Sequence, residues 1–416
     1  MIAYHFPPLV GGSGILRTLK FSHYLPRFNW KPIVLTIHKR AYSTTGSDQL
    51  SEIPSEVRVF RAFGLDANRH LSIRGFYPRL LALPDRWASW WVGAVYRGLQ
   101  IIKKLKPEVI WVTYPIATAH LIGLSLHRLT KVPLVADFRD AMTEEEYPRD
   151  YWSWHCYRWI EKKIIRYSTQ MVFTADLTRE IYLDRYKDLD PSRCHVISNG
   201  YDERDFDGFK NISQSVCIPG SLVRLLHAGV VYPKERNPLP FFNALAKLKK
   251  EGIINSRALR IELRGAGTED KYISYLRELD LEDIVVFSPS LPYLESLEDC
   301  MKAQGLLLMQ YRGCNHQIPA KTYEYLRMGK PILALTDCEG ETAKLLDYCE
   351  GATILNIADS QQIHEGFPKF LKHIQEGTHP KPIFPRVSHF SRESQSEQLA
   401  KCLELAVKKN EENAAS

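Results

Sequence analysis

A lysine and a glutamate stand three residues apart in the segment Pro319-Ala320-Lys321-Thr322-Tyr323-Glu324. Proline suits the first turn of a helix, and residues three apart share one helix face. A helix N-terminus with a cation and a carboxylate can hold a phosphorylated sugar, the cation contacting the phosphate and the carboxylate contacting ribose hydroxyls. The segment therefore predicts such a binding site, with a surface Lys–Glu pair as the alternative interpretation.

A second basic segment is the loop of residues 229–238, which follows a predicted strand and is bounded by prolines. It contains Arg236, and a basic side chain beyond the carboxyl end of a strand suits a phosphate group. The alternative interpretation is an ordinary solvated loop.

Two glycine-rich segments follow predicted strands, Gly11-Gly12-Ser13-Gly14 after a short first strand and Arg264-Gly265-Ala266-Gly267 in the second half. Glycines at such turns let backbone N–H groups approach an anion at the positive end of a helix. Neither segment has the dinucleotide-binding spacing, and no phosphate-loop lysine follows the first one. A nicotinamide cofactor is therefore poorly supported, and a tight strand-to-helix turn is the alternative for the first segment.

Charged residues also end two predicted strands of the first half. Asp137, Arg139 and Asp140 follow a strand of buried type, where charges are rarely placed unless they are paired. They predict hydroxyl binding or proton transfer at the sheet edge, or else an internal Asp–Arg ion pair. His120 lies near the start of a predicted helix that follows another strand on the same edge, so it is a candidate catalytic group or a structural histidine.

Short β-branched runs alternate with longer amphipathic segments along both halves of the chain. Runs that are apolar on both faces predict parallel strands covered by helices. Two such series predict an α/β protein of two doubly wound domains. Ligands bind beyond the carboxyl ends of the strands, so we expect a site in a cleft between the two domains.

Turn-forming residues crowd together around residues 201–221, and prolines precede the last periodic segment. We therefore predict a first domain over residues 1–205 and a second over residues 206–385. Residues 386–416 are expected to form a helix that crosses back to the first domain.

Composition excludes several protein classes. The chain has 416 residues and a net charge of +7, and its first 130 residues hold 17 Lys and Arg against 6 Asp and Glu. This basic first third indicates an anionic partner, but no nucleic-acid-binding motif accompanies it. The eight cysteines form no C-x-x-C pair, and no apolar run approaches the ~20 residues that span a membrane. We expect a cytoplasmic protein with reduced thiols and no cleaved leader.

Taken in order, these residues resemble glycosyltransferase family 4, a group of GT-B enzymes, and within it the enzymes of bacterial surface-polysaccharide gene clusters. The segments that carry the resemblance are Phe6-Pro7-Pro8, Gly11–Gly14, Arg17, Pro84-Asp85-Arg86, Asp137–Asp140, Asn199–Asp202, His227-Ala228-Gly229, Arg236, Pro319–Tyr325 and Gly329-Lys330-Pro331. The resemblance implies two Rossmann-like domains facing across a cleft. It further implies an acceptor bound mainly by the first domain, a nucleotide sugar bound by the second, and transfer with retention and without a metal.

The resemblance also assigns roles. Glu324 matches the second glutamate of the family's E-x(7)-E motif, which binds the donor ribose, and Arg236 and Lys321 resemble the residues that stabilise the leaving diphosphate. The first glutamate of the motif would fall at His316, which is a departure from the family pattern. The resulting candidates are Arg236, Lys321 and His120 for catalysis; Gly12, Gly14, Gly265, His316 and Glu324 for the donor; and Asp137, Arg139 and Asp140 for the acceptor. No metal and no cofactor are expected.

The predicted function is a retaining glycosyltransferase of the hexosyltransferase type. It would move a sugar from a nucleotide-sugar donor to a glycan or lipid-linked acceptor in synthesis of a cell-surface polysaccharide such as lipopolysaccharide or capsule. The alternatives are a sugar-nucleotide epimerase of the same architecture and, because of His316, a catalytically silent nucleotide-binding subunit. The basic, aromatic segment Arg74–Lys106 predicts reversible peripheral binding to an anionic membrane surface at the inner face of the cell membrane.

Overall fold

The structure is a computed structural model, and it describes residues 1–10, 14–47, 49–74, 76–209, 221–233 and 235–415. The chain divides into two compact units, Met1–Asn199 together with Arg392–Ser416, and Gly200–Ser391. Each unit is built on parallel strands with helices packed against them. The predicted fold class, two Rossmann-like α/β domains with parallel sheets, is confirmed.

The first unit holds strands β1 to β6 and helices α1 to α6. The strands are Ile33–Ile37, Arg58–Ala62, Ile110–Thr113, Leu134–Asp137, Gln170–Phe173 and Cys194–Val196. The α-helices are Gly14–Tyr24, Ala67–His70, Trp90–Leu105, Ala117–Thr130, Tyr151–Tyr167 and Asp176–Arg185.

The sheet of the first unit is joined by the start of the chain. Strands β3, β4, β5 and β6 pair in that order, and β1 pairs with β2. Ile2 connects the two pieces, because it forms parallel bridges to both Leu35 of β1 and Val112 of β3. The short first strand expected before the glycine-rich loop therefore lies between β1 and β3.

The second unit holds strands β7 to β12 and helices α7 to α13. The strands are Val223–Ala228, Leu259–Arg264, Val285–Ser288, Gly305–Met309, Ile332–Leu335 and Ala352–Leu355. The α-helices are Leu239–Lys250, Glu269–Glu278, Tyr293–Lys302, Lys321–Met328, Glu341–Cys349, Ser360–Glu376 and Phe384–Ser388. The last helix of the chain, α14 at Arg392–Ala415, belongs to the first unit.

The strand order of the second unit fixes where a ligand can bind. All six strands are parallel in the order β12-β11-β10-β7-β8-β9. Successive strands run outward from β7 in one direction and from β10 in the other. The order therefore reverses between β7 and β10, and the carboxyl ends of these two strands form the point at which such sheets bind ligands.

Burial explains the strand pattern of the first unit. Every residue of β3, β4 and β5 is buried, because helices cover both faces of this sheet. One face packs on a core that includes Trp90, Ile122 and Ile164 of α3, α4 and α5. The other face packs on α14, whose apolar side chains in this cluster are Leu399, Ala400, Cys402, Leu403 and Ala406.

The boundaries of the second unit, Gly200 and Ser391, lie a few residues from the predicted domain ends at 205 and 385. The Tyr201 N–H donates to the Phe390 carbonyl at 3.2 Å, and Tyr201 forms a parallel bridge with Ser391. Tyr201 and Ser391 therefore both belong to the second unit, next to the two points where the chain passes from one unit to the other. Over the described residues, no helix is long and apolar enough to cross a membrane.

Candidate functional site

Lys321 occupies the point where the strand order of the second unit reverses. It is the first residue of α10, and its Nζ donates to the Ala228 carbonyl at the end of β7. The same Nζ lies 3.3 Å from Nε2 of His227. His227 is fully buried and its Nδ1 lies 2.9 Å from the Leu307 carbonyl, so donation from Nδ1 leaves Nε2 as an acceptor facing Lys321.

A glycine at position 229 permits this approach. Gly229 has a φ of 114°, a backbone conformation that other residues rarely adopt, and a Cβ there would lie 3.0 Å from the Lys321 Nζ. A side chain at this position would therefore strain the turn and displace the ammonium from the end of β7.

Arg236 lies on the loop that follows the same strand. Its Nη1 donates to the Val230 carbonyl at 2.6 Å, and its guanidinium lies 5.3 Å from the centre of the Tyr232 ring. The loop closes as a turn, because the Arg236 N–H also donates to the Tyr232 carbonyl at 2.8 Å. Carbonyls and an aromatic ring thus hold Arg236 near Lys321, as the sequence interpretation requires.

The electrostatics of this cluster favour an anion. Burial, followed by the charge of Arg236, lowers the pKa of Lys321 to about 7. Burial and then the charge of Lys321 lower the pKa of His227, so this imidazole stays neutral. Among the described residues no carboxylate forms an ion pair with Lys321, and the N-terminus of α10 adds positive potential. Bound phosphate would relieve this excess of positive charge.

Glu324 lies one helical turn after Lys321 and is oriented by a tyrosine. The Tyr293 hydroxyl lies 2.9 Å from the Glu324 Oε1 and 3.1 Å from the Asp205 Oδ2. Burial and then these two carboxylates raise the pKa of Tyr293 well above its usual range, so the hydroxyl keeps its proton. A carboxylate held in this way can accept hydrogen bonds from hydroxyl groups, and ribose binding by Glu324 stays a prediction.

A glutamine side chain holds the turn that contains His316. The Gln310 side-chain amide donates to the carbonyls of Cys314 and Gln317, both at 2.8 Å. The Thr342 hydroxyl donates to the Gln310 side-chain oxygen. His316 lies with its Nε2 3.2 Å from the side-chain nitrogen of Gln317, and its role toward a donor sugar stays a prediction.

Gly265 directly follows β8, next to this cluster. Its φ is 62°, and a Cβ there would lie 3.1 Å from the Cβ of Ser290. The Gly229 N–H donates to the carbonyl of Arg264, the residue that precedes Gly265, at 2.8 Å. The turn geometry therefore explains the glycine, and donor binding by Gly265 stays a prediction.

In the first unit, Asp137 is held entirely by the protein. Arg17 donates to both of its oxygens, Nε to Oδ2 at 2.8 Å and Nη2 to Oδ1 at 3.0 Å, and both side chains are fully buried. The Thr113 hydroxyl donates to Oδ2 at 2.9 Å. The structure thus gives Asp137 an internal ion pair, with Arg17 as the partner, because its oxygens are already occupied by three donors.

Arg139 turns away from that pair toward α1. It has a φ of 45°, and its Nη1 donates to the Gly14 carbonyl at 3.1 Å. Burial lowers the pKa of Arg139, and the Asp140 carboxylate opposes that shift. Arg139, Asp140 and Gly14 are therefore brought together, whereas Gly12 lies outside the described residues.

His120 is placed in the interior and not at an open edge. Its ring is fully buried and stacks on Phe138 with centroids 5.3 Å apart. Neither ring nitrogen has a hydrogen-bond partner among the described residues, and burial lowers the pKa of His120 to about 3. The predicted catalytic contact stays a prediction, and it would require movement of the surrounding aromatic residues.

Sequence reasoning missed three residues that build the Lys321 cluster: His227, Gly229 and Tyr293. The first two stand in the segment His227-Ala228-Gly229, which carried part of the resemblance but offered no spacing rule of its own. Tyr293 gave no sequence signal, because its contact with Glu324 joins residues 31 positions apart.

Comparison with known proteins finds a family match within the first unit. Residues 17–200 match the family described as glycosyl transferase 4-like domain. The match begins at Arg17 and ends where the chain passes into the second unit, so both residues of the Arg17–Asp137 pair lie within it. No curated protein is a significant match to the sequence.

The whole chain is similar in fold to solved glycosyltransferases. Sucrose-phosphate synthase from Thermosynechococcus elongatus superposes with a TM-score of 0.66 at 14% identity, over 100% of this chain and 98% of that chain. WaaG, a glycosyltransferase involved in lipopolysaccharide biosynthesis, has a TM-score of 0.63 at 13% identity, over 97% and 98%. HepE from Anabaena in complex with UDP has a TM-score of 0.65 at 13% identity, over 97% and 98%. These likenesses agree with the two Rossmann-like domains described above and show a fold of the GT-B type.

Proposed function

We propose that the chain is a retaining, metal-independent glycosyltransferase that uses a nucleotide-sugar donor. The acceptor is a glycan or a lipid-linked glycan, and the product belongs to a cell-surface polysaccharide. The observation that carries the proposal is the pair of cations at the reversal of the strand order. Lys321 and Arg236 lie together there, and within the described part of the chain no carboxylate forms an ion pair with Lys321.

The solved neighbours support the donor class. HepE from Anabaena has been crystallised with UDP, with UDP-glucose, and with UDP and glucose. Its fold extends over 97% of this chain. We therefore take a nucleoside diphosphate sugar as the donor, and we assign its diphosphate to Lys321 and Arg236 and its ribose to Glu324.

The chemistry follows from where charge develops. The diphosphate gains negative charge as its bond to the sugar breaks, and preorganised cations at that position lower the barrier. Lys321 and Arg236 are already oriented by carbonyls, so little reorganisation is needed. Glu324 binds a part of the donor that does not react, and we expect it to affect binding more than turnover.

Calorimetric titration with UDP and an assay of nucleotide release test this assignment. Glu324→Ala should weaken UDP binding, whereas Arg236→Ala should mainly slow release of UDP from UDP-sugars. Lys369, an exposed lysine of α12, provides the matched control, and Lys369→Ala should change neither quantity. Unchanged binding and turnover in both site variants would refute the donor site.

The same assay separates the competing functions. A transferase releases nucleotide faster when an acceptor extract is added, whereas an epimerase converts the nucleotide sugar without any acceptor. A silent subunit, which the histidine at position 316 makes a specific alternative, would bind UDP and release none from any UDP-sugar.

Metal independence has its own test. The cations and the helix N-terminus supply the positive charge that a divalent ion would otherwise provide to the diphosphate. Over the described residues, no three His, Cys, Asp or Glu side chains are grouped to hold a metal ion. Activity should persist in excess EDTA, and complete loss restored by magnesium or manganese would overturn the proposal.

Membrane binding is part of the same proposal. The segment Arg74–Lys106 combines basic residues with exposed apolar side chains, among them Val92 and Tyr96 of α3. Each basic residue near an anionic surface contributes about 1 kcal/mol of attraction. Co-sedimentation should rise with the anionic lipid content of liposomes and fall at high salt. Equal recovery in the supernatant with neutral and anionic liposomes would contradict it.

A further inference from the structure

A tyrosine hydroxyl lies between two carboxylates beside the Lys321 cluster. The Tyr293 hydroxyl lies 2.9 Å from the Glu324 Oε1 and 3.1 Å from the Asp205 Oδ2. It carries a single proton, so it donates to one carboxylate at a time, and rotation about its C–O bond exchanges the two acceptors. Because burial, followed by the two carboxylates, raises the pKa of Tyr293 well above its usual range, that proton is present at physiological pH.

A salt bridge keeps Asp205 close to this hydroxyl. Asp205 belongs to the 3-10 helix Glu203–Phe209. The first residue of that helix, Glu203, accepts hydrogen bonds on both carboxylate oxygens from the Nε of Arg327, at 2.9 and 2.8 Å. Arg327 lies on α10, three residues after Glu324. The 3-10 helix is therefore attached to the helix that carries Glu324, which holds the two carboxylates near each other.

A separate set of ion pairs anchors α9, the helix that begins at Tyr293. Asp299 of α9 accepts a hydrogen bond on Oδ1 from the Arg224 Nη2 and another on Oδ2 from the Arg264 Nε, both at 2.6 Å. The two arginines stand on the neighbouring strands β7 and β8, and each also pairs with Glu262. Asp299 thus fastens α9 to both strands, so the start of the helix has a defined position.

The hydroxyl restricts how the Glu324 carboxylate is oriented. Glu324 is half-buried, and the last torsion of a glutamate side chain is loosely restricted when nothing holds it. A hydrogen bond from Tyr293 to one oxygen defines the plane of this carboxylate. A carboxylate in a defined plane can accept hydrogen bonds from two neighbouring hydroxyls, such as the 2′- and 3′-hydroxyls of ribose, without first losing rotational freedom.

We propose that Tyr293 is a positioning residue of the donor site, which orients Glu324 toward both ribose hydroxyls and thereby sets a preference for ribonucleotides over 2′-deoxyribonucleotides. When ribose donates to Glu324, the phenolic proton turns to Asp205, so it has an acceptor in the free and in the bound protein. This inference rests on the proposed function, which assigns the ribose to Glu324, and it adds a residue that acts through that carboxylate.

Calorimetric titration of the full chain with UDP and with 2′-deoxy-UDP tests this role. The parent chain should bind UDP about tenfold more tightly than 2′-deoxy-UDP, the effect of one hydrogen bond to a charged group. Tyr293→Phe removes only the hydroxyl, and it should weaken UDP binding about tenfold and 2′-deoxy-UDP binding about threefold. The preference for the ribonucleotide should therefore fall to about threefold.

A double variant shows whether Tyr293 acts through Glu324. Glu324→Ala removes the carboxylate that Tyr293 orients, so adding Tyr293→Phe to it should change UDP affinity by less than about twofold. Tyr275→Phe is the matched control, because the Tyr275 hydroxyl on α8 donates to the Asn243 Oδ1 at 2.7 Å. This control should keep both the UDP affinity and the ribonucleotide preference of the parent chain.

Three results would overturn the proposal: equal affinity of the parent chain for the two nucleotides, an unchanged preference in Tyr293→Phe, or equal weakening by Tyr293→Phe with and without Glu324. A purely structural role of the hydroxyl predicts the second result, because it would weaken the binding of both nucleotides by the same factor. Glu324→Ala with unchanged UDP affinity refutes the proposed donor site. Weakened UDP binding in Glu324→Ala with an unaltered Tyr293→Phe variant refutes only this inference.

Discussion

Asp137 and Lys321 are charged residues at the carboxyl edges of two similar sheets, yet their surroundings are opposite. Asp137 receives three hydrogen bonds, two of them from the buried guanidinium of Arg17. Lys321 contacts a carbonyl and a neutral histidine, and burial, followed by the charge of Arg236, lowers its pKa. A charge whose partners all come from the chain stabilises the fold, whereas a charge left in excess is available to a ligand.

The largest effect should follow from breaking the Arg17–Asp137 pair. Arg17→Ala leaves a buried carboxylate without its counter-charge, which costs about 3–5 kcal/mol of unfolding free energy. Urea unfolding followed by circular dichroism measures the loss. The exposed pair of Arg27 and Glu393, 2.6 Å apart, is the control, and Arg27→Ala should cost at most about 1 kcal/mol. Equal losses of unfolding free energy in the two variants would show that the buried pair stabilises the fold no more than the exposed pair.

The second effect concerns turnover in the other unit. Arg236→Ala should lower kcat by about 10²–10³-fold, by analogy with removal of one donor from an oxyanion site. Its melting temperature should stay close to that of the parent chain, since Arg236 is held by carbonyls and forms no ion pair among the described residues. A lower melting temperature together with an unchanged kcat would instead show that Arg236 stabilises the fold.

A third prediction follows the proton on Lys321. Its pKa is about 7 in the free protein, so the amine is mostly neutral at pH 8. A bound diphosphate raises this pKa, and UDP binding at pH 8 should therefore take up a proton. Calorimetry in buffers of different ionisation enthalpy measures the uptake. It should vanish at pH 6, where Lys321 is charged in both states, and in Lys321→Arg at either pH.

The smallest expected effect is a gain in stability. Folding lowers the pKa of Lys321 from 10.5, so the charged form destabilises the folded state at neutral pH. Lys321→Met should raise the free energy of unfolding, and each kcal/mol gained should raise the melting temperature by about 2–4 °C. The same variant should abolish UDP binding. The gain should be full below pH 7 and shrink as the pH rises toward 10.5. A lower melting temperature would show that Lys321 supports the fold.

The sequence predicted most of the sheet elements because their runs are apolar on both faces, as in β3 and β10. It did not predict α12, Ser360–Glu376, which contains Gly366 and Pro368. These residues are typical of turns, but burial of side chains such as Phe367 and Phe370 outweighs the local preference. Local pattern therefore identified the strands, whereas tertiary packing decided this helix.

The candidate site shows the same division. Lys321 and Glu324 share a helix turn, so sequence spacing alone was sufficient to group them. The Arg17–Asp137 pair joins residues 120 positions apart, and the sequence offered no means of choosing Arg17 over the nearby Arg139 as the partner. The buried position of His120 likewise depends on packing against Phe138, which spacing does not reveal.

The place of α14 has a consequence for synthesis. The second unit is one uninterrupted piece, Gly200–Ser391, whereas the first unit needs Arg392–Ser416 to cover one face of its sheet. A ribosome delivers residues in order, so all of the second unit is made before the first can be finished. Until then Trp111, Val135 and Val172 lack Leu399 and Leu403 as neighbours. The apolar face of the first unit therefore stays exposed until α14 has been synthesised. A chaperone that binds exposed apolar surfaces could bind this face during translation.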